Sequence, residues 1–272
     1  MSFRSNTVAR HRRTLCLLAL FAIAALSGCA GRPQNSQGGW EPLFNGTDLT
    51  GWTVKCKPSD CDYEFWKVDD GTILADSMSH EGHDYVWLVT DQEYADFVLR
   101  LRFQAYRDSP GNSGIQIRSR YDNEAGWLDG PQIDIHPPEP WRTGMMWDET
   151  RGVGRWLYPD VPQGQWVNQA MANPDLVFYY ADEGSGWNTF EIAAVGTRIT
   201  AWLNGIPVAD YDGSGVLDDA AHQAHDVGLE GHIALQIHRA DQLRIRFQDI
   251  TIRQVHAPWL LASAPTTRSA VP

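Results

Sequence analysis

The chain has 272 residues, with 22 basic and 34 acidic side chains and a formal net charge of −12. An acidic balance of that size repels a phosphate backbone and sets nucleic acid aside as a partner. The length suits one large all-β domain as well as two small ones, and the patterning below favours one.

Residues 1–13 carry Arg4, Arg10, Arg12 and Arg13 with no acid, and the apolar run 15–26 follows, which is the basic start and hydrophobic middle of a signal peptide. The run falls short of the ~20 apolar residues that a bilayer span needs. It ends in Leu26-Ser27-Gly28-Cys29, which reads as a lipoprotein processing box. Cleavage there predicts an exported protein, lipid-anchored through Cys29 to a bacterial membrane. Ala30, where an Asp would signal retention, favours the outer membrane, facing periplasm or surface. Loss of residues 1–28 removes four arginines and no acid, which deepens the net charge from −12 to −16.

Residues 29–39 are rich in Gly, Gln, Asn and Ser and read as a flexible tether, and 257–272 as a disordered Ala/Pro/Ser/Thr tail. Between them, 40–256 is expected to form a single domain. Cys56 and Cys61, close together in an exported chain, suit a small-loop disulfide better than a zinc site. Period-two alternation recurs at Val98-Leu99-Arg100-Leu101-Arg102-Phe103, Ile115-Gln116-Ile117-Arg118, Ile233-Ala234-Leu235-Gln236-Ile237-His238 and Leu243-Arg244-Ile245-Arg246-Phe247. Asn204-Gly205 between two such runs predicts a hairpin. Many strands with no helical period between them predict an antiparallel two-sheet β-sandwich. The Pro- and aromatic-rich stretch 156–187 is expected to be a long loop over one end or face.

The most informative strand is Gly130-Pro131-Gln132-Ile133-Asp134-Ile135-His136. Alternation sends Ile133 and Ile135 to the core and sets Gln132, Asp134 and His136 on one face of a cleft. Retaining glycosidases on this architecture need two carboxylates flanking the scissile bond, in a Glu-x-Asp-x-Glu strand. Gln132 and His136 occupy both Glu positions here, so a glycosyl nucleophile from this strand is excluded. Downstream, Trp147-Asp148-Glu149-Thr150-Arg151 brings two carboxylates pointing to opposite faces. One of them is expected in the site, with a local Glu149–Arg151 pair as the competing arrangement. Asn112, Gln116 and Arg118 fall on one face, with amides and a guanidinium suited to sugar oxygens. Gln236 and His238 repeat the theme, and His238 is a general acid/base candidate. The histidines at 80, 83, 222, 225, 232 and 256 are expected in solvated loops. Trp127, Trp141, Trp147 and Trp156 offer flat faces for sugar C–H groups, whereas Trp52, Trp66 and Trp202 are expected in the core. Asp134, His136, Asp148, Glu149 and His238 are also types that bind a divalent metal, but no pair has diagnostic ligand spacing, so the cofactor stays open.

An ordered series now stands out: Leu43-Phe44-Asn45-Gly46-Thr47-Asp48-Leu49-Thr50-Gly51-Trp52, Trp66-Lys67-Val68-Asp69-Asp70-Gly71, Gly111-Asn112-Ser113-Gly114-Ile115, Trp202-Leu203-Asn204-Gly205, Leu235-Gln236-Ile237-His238 and Arg246-Phe247-Gln248-Asp249-Ile250. It resembles the 3-keto-disaccharide hydrolase domain family over nearly the whole of 40–255. The resemblance implies a concanavalin A-like jelly roll and a hydrolase acting on 3-keto-glycosides or 3-keto-disaccharides. The ketone acidifies the C2 proton, so a base can form an enolate, C1 can expel its aglycone, and water can add afterwards. On that basis Asp134, Glu149 and His238 are the catalytic acid and base candidates. Asn112, Gln116, Arg118, Gln132, His136, Trp147, Arg151 and Gln236 are the substrate-binding set, with Arg118 or a bound metal at the enolate oxygen. The partner is then an oxidised sugar or other carbohydrate. The rival reading is a non-catalytic carbohydrate-binding surface lipoprotein on the same fold.

Overall fold

The computed structural model describes residues 39–136 and 141–255. The expected signal peptide 1–28, Cys29, the expected tether up to residue 38, His256 and the expected tail 257–272 lie outside the described residues. The first strands in chain order are β1 (Glu41–Pro42), β2 (Trp52–Lys55), β3 (Trp66–Asp69), β4 (Thr72–Asp76), β5 (Val86–Tyr94), β6 (Phe97–Pro110), β7 (Ser113–Asp122) and β8 (Trp127–Asp129). They are followed by β9 (Pro131–Ile135), β10 (Met146–Asp148), β11 (Arg155–Tyr158), β12 (Asn188–Val195), β13 (Arg198–Leu203), β14 (Ile206–Asp212), β15 (Gly231–Ile237) and β16 (Leu243–Gln254). A single helical turn, α1 (Ala220–Gln223), is capped by Asp219, whose side chain accepts from the N–H groups of Ala221 and His222.

The strands form two eight-stranded antiparallel sheets. One runs β14-β13-β12-β6-β16-β4-β3 with β1 added on β16, and the other β11-β10-β9-β7-β15-β5-β2 with β8 added on β7. This is the expected antiparallel two-sheet sandwich of the jelly-roll class. The alternation read from the sequence sets the layers. Phe97, Leu99, Leu101 and Phe103 of β6 meet Ile115, Ile133, Ile135 and Leu235 of the opposite sheet in one buried cluster. Each such side chain contributes about 1.5–3 kcal/mol on burial.

The outer face of the first sheet is polar, with cross-strand pairs such as Arg100–Glu191, Arg102–Asp249 and Arg198–Asp210. Trp202 lies half-buried on this face, beside Thr189 and Glu191, instead of in the core. Trp52 and Trp66 are in the core as expected. The outer face of the second sheet is partly apolar, because Trp87, Val89 and Ala234 are sealed beneath Leu128, Tyr85, Tyr121 and Trp127. The polar residues of that sheet gather beside this cluster.

Asn204 and Gly205 both take left-handed backbone angles, φ 50° and 81°, which the two-residue turn between β13 and β14 requires. Cys56 and Cys61 are joined as a disulfide. Of the expected loop 156–187, residues 156–158 belong to β11, and 159–187 form a long connection tied down where the Asn188 amide exchanges hydrogen bonds with the backbone of Tyr179 at 2.7 and 2.8 Å.

Arg118 departs from simple alternation. A register shift opposite β15 and a left-handed φ of 50° turn its side chain away from the Gln116 face. The guanidinium, only 1% exposed, donates to Ala95 O at 2.8 Å, to Gly196 O at 2.6 Å and to Asp96 Oδ1 at 3.0 Å. Arg118 therefore joins the turns at one end of the sandwich and does not face the cleft described below. Arg118→Leu is expected to cost about 3 kcal/mol by stranding those acceptors, with KM for a cleft ligand unchanged. Chemical denaturation beside ligand titration checks this, and a weakened ligand at unchanged stability would contradict it.

Candidate active site

On β9, Ile133 and Ile135 enter the core, while Gln132 and Asp134 line a cleft of about 360 Å³ on the outer face of the second sheet. Gly114 of β7 sits opposite Asp134 in register. A Cβ at Gly114 would stand 2.4 Å from Gln132 Cδ, so the glycine makes room for Gln132 to lie across its strand. Gln132 Nε2 donates to Asp134 Oδ1 at 2.8 Å, and Gln132 Oε1 has no partner among the described residues.

At the end of β10 the two adjacent carboxylates separate. Asp148 is fully buried and bound by His222 Nε2 at 3.1 Å and Arg155 Nε at 3.3 Å. Burial opposes charge on His222, but its hydrogen bonds to Asp148 and Asp219 and their charges outweigh that and hold its pKa above the usual imidazole range. Glu149 projects to the cleft side. Its N–H donates to Gly130 O at 3.0 Å, its carbonyl accepts from Trp127 Nε1 at 2.8 Å, and its Oε1 accepts from Gln236 Nε2 at 3.3 Å. Arg151 does not pair with Glu149 as the competing arrangement has it; it binds Asp129 at 2.7 Å and Asp122 at 2.9 Å on the rim.

The two cleft carboxyls, which pair with no cation among the described residues, are electrostatically poised. Burial pushes Glu149 up to about 7, with the charge of Asp134 adding to the effect. Burial likewise lifts Asp134 to about 6 against the hydrogen bond from Gln132 and the positive charge of Arg142. A pair of acids perturbed in this way within one cleft is the arrangement that proton-transfer sites use.

Trp127, Trp147, Trp156 and Trp166 form the walls. Trp166, 63% exposed on the long connection, packs edge-on against Trp147 and Trp156 at 5.7 and 5.5 Å. Arg142 lies over the Trp166 and Trp156 rings and donates from Nη2 to His136 Nδ1 at 2.7 Å. Burial and the Arg142 charge hold His136 down to about 4, so its neutral ring orients the arginine from behind. Among the described residues Arg142 has no carboxylate partner in an ion pair, and its Nε is unpaired. Asn112, Tyr85 and His238 close the other end of the cleft.

Of the residues expected from the sequence, Asp134, Glu149, His238, Asn112, Gln132, Trp147 and Arg151 line the cleft. Gln236 reaches it through Glu149, and His136 through Arg142. Gln116 is fully buried with its amide donating to Leu128 O at 3.0 Å, so it supports β8 and does not line the cleft. Trp141 lines a separate cleft with Met145 and Tyr158. His83 and His222 are buried and bonded where solvated loops were expected, because each ties a connection to acidic or carbonyl oxygens. Tyr85, Arg142 and Trp166 were not foreseen. Among the described residues no three His, Cys, Asp or Glu side chains converge to hold a metal ion.

The chain is thus a two-sheet jelly roll whose tryptophan-walled cleft holds two buried carboxyls. Residues 39–253 match the 3-keto-alpha-glucoside-1,2-lyase-like domain, and the chain belongs to that family. No curated protein sequence matches it. Among solved structures, a "putative glycosyl hydrolase" from Parabacteroides distasonis is similar with TM-score 0.52 and 18% identity, over 80% of this chain and 95% of that one. Looser likenesses are the β-glucanase of Bacillus licheniformis (TM-score 0.46, 12% identity, 80% of this chain and 97% of that one) and the carbohydrate-binding module CBM66 of Bacillus subtilis (TM-score 0.43, 13%, 79% and 96%).

Proposed function

We propose that the cleft cleaves glycosides of sugars oxidised at C3, by enolate formation, loss of the aglycone and addition of water. The observation that carries this reading is the pair of buried carboxyls, Asp134 at about 6 and Glu149 at about 7, on a strand pattern that lacks the glutamates of a retaining glycosidase. Asp134, whose charge is supported by the hydrogen bond from Gln132 and by the Arg142 cation, takes the C2 proton. Glu149, whose protonated form is favoured by burial and by the Asp134 charge, gives its proton to the departing glycosidic oxygen. Arg142, the cation at the cleft with no carboxylate paired to it among the described residues, faces the C3 oxygen as negative charge develops there. It takes the part that the sequence assigned to Arg118 or a metal. Asn112 Oδ1, Gln132 Oε1 and Thr150 Oγ1, unpaired among the described residues, suit sugar hydroxyls, and the tryptophans suit sugar C–H faces.

The test is to incubate the protein with a 3-keto-glucoside and with its unoxidised parent, with and without chelator, and to follow aglycone release. Release from the ketone alone is expected. Release from both would mean conventional glycosidase chemistry by carboxylates other than this pair. Binding of both without release would leave a carbohydrate-binding protein, for which the exposed tryptophan wall would be the platform.

A further inference from the structure

At the end of the cleft, Tyr85 immediately precedes β5 and His238 immediately follows β15. The pairing of those strands, Ile237 opposite Val86, brings the two side chains together. Tyr85 Oη lies 3.0 Å from His238 Nε2, and the rings meet edge to face with centroids 4.8 Å apart. On the other side of the imidazole, Nδ1 is 3.3 Å from Asp241 Oδ2, a contact not yet aligned as a hydrogen bond. Such contacts commonly tighten only when substrate is bound.

Asp241 itself is fixed. Asn112 N–H donates to its Oδ2 at 2.8 Å, and its carbonyl contacts His83 Nε2 at 3.0 Å. Burial works against its charge, yet the His238 and Asn112 contacts and the nearby imidazoles outweigh burial and keep it below the ordinary carboxylate range. An ionised carboxylate can only accept, which sets the imidazole proton on Nδ1 and leaves Nε2 to accept from the Tyr85 hydroxyl. Glu149, Asp84 and Arg239 complete the charged surroundings of Tyr85.

We propose that Tyr85 is a further catalytic residue, the cleft end of a Tyr85–His238–Asp241 relay that activates the water completing hydrolysis. This rests on the function proposed above. Water gives a proton to Tyr85 Oη as the proton of Oη passes to His238 Nε2. The transfers are concerted, so no free phenolate forms, a species that burial and the Glu149 charge disfavour. The water oxygen keeps its O–H electron pair and bonds to C1, and the C1–C2 π pair moves into the enolate. Asp134 returns to C2 the proton it removed. The imidazolium faces Asp241, and the cycle closes when the relay passes its proton to Glu149, which gave its own to the aglycone.

The experiment uses the full chain with a 3-keto-glucoside as probe. Tyr85→Phe is expected to release the first equivalent of aglycone within a few-fold of the parent rate. Hydrated sugar should form at least ~100-fold more slowly, while an unsaturated C1–C2 ketone accumulates with enone absorption. His238→Gln is expected to give the same split. Hydrated product at the parent rate from a folded Tyr85→Phe protein would overturn the proposal. Nitrogen-15 NMR of the His238 ring decides the wiring without turnover. A proton on Nδ1 and none on Nε2 is expected, and the opposite tautomer would sink the relay. A parent protein that leaves the ketone substrate intact would remove the function reading instead, and with it the relay's catalytic role, whatever the tautomer.

Discussion

Asp134→Asn and Glu149→Gln are each expected to lower kcat on a 3-keto-glucoside by ~10²–10⁴-fold while KM changes by no more than about threefold. Both amides keep the shape of the carboxyl they replace, so hydrogen bonding to the sugar persists while proton transfer is lost. The parent protein should show a narrow bell-shaped dependence of turnover on pH. Its acid limb, at about 6, and its alkaline limb, at about 7, are the two titrations of the Asp134–Glu149 pair, whose members repel one another; the first is dominated by Asp134 and the second by Glu149. Residual activity in Asp134→Asn should lose the acid limb, and that in Glu149→Gln the alkaline limb. Parent-like turnover in either amide variant would rule out the assignment, as would a profile that keeps both limbs in both variants.

The sandwich was legible because its strands alternate strictly. The residues of β6, β9 and β15 face the sides that period two assigns them, and Asn204-Gly205 marks its hairpin. Asp134 and Glu149 were legible for the same reason, since alternation separates Asp148 from Glu149 and sends Gln132 and Asp134 to one face. Where a bulge interrupts the period, the reading inverts. The left-handed backbone at Arg118 moves a guanidinium from the cleft to the sandwich end, and nothing in Ile117-Arg118-Ser119 announces it. Gln116 lies on the anticipated face, but β8 covers it, and strand order is not written in a single sequence. Tyr85, Arg142 and Trp166 sit in connections between the strands, where no periodicity fixes direction and only the assembled sheet brings them to one cleft. His222 was read as solvated because its partners, Asp148 and Asp219, come together only when α1 docks beside β10.

Glu149→Gln should also make the protein more stable at alkaline pH while disabling it. Folding raises this carboxyl from 4.5 to about 7, so the folded state binds the proton more tightly than the unfolded chain does. The cost of burying the charge is absent below the unfolded value, grows as pH rises between the two, and is fully present above the folded one. At one pKa unit per 1.36 kcal/mol, that cost reaches about 3 kcal/mol as an upper bound, since Asp134 repulsion is part of it. An uncharged amide escapes it. The variant is expected to melt higher than the parent above the folded pKa, by up to about 6–12 °C at roughly 2–4 °C per kcal/mol for a domain of this size. Below the unfolded pKa the difference should vanish. Calorimetry of both proteins across that range decides the matter. A variant less stable at alkaline pH would mean that contacts to the Glu149 carboxylate, such as that from Gln236, outweigh its desolvation. The free energy held in the buried charge would then be too small to tune Glu149 as an acid, and proton donation to the aglycone would have to come from another group.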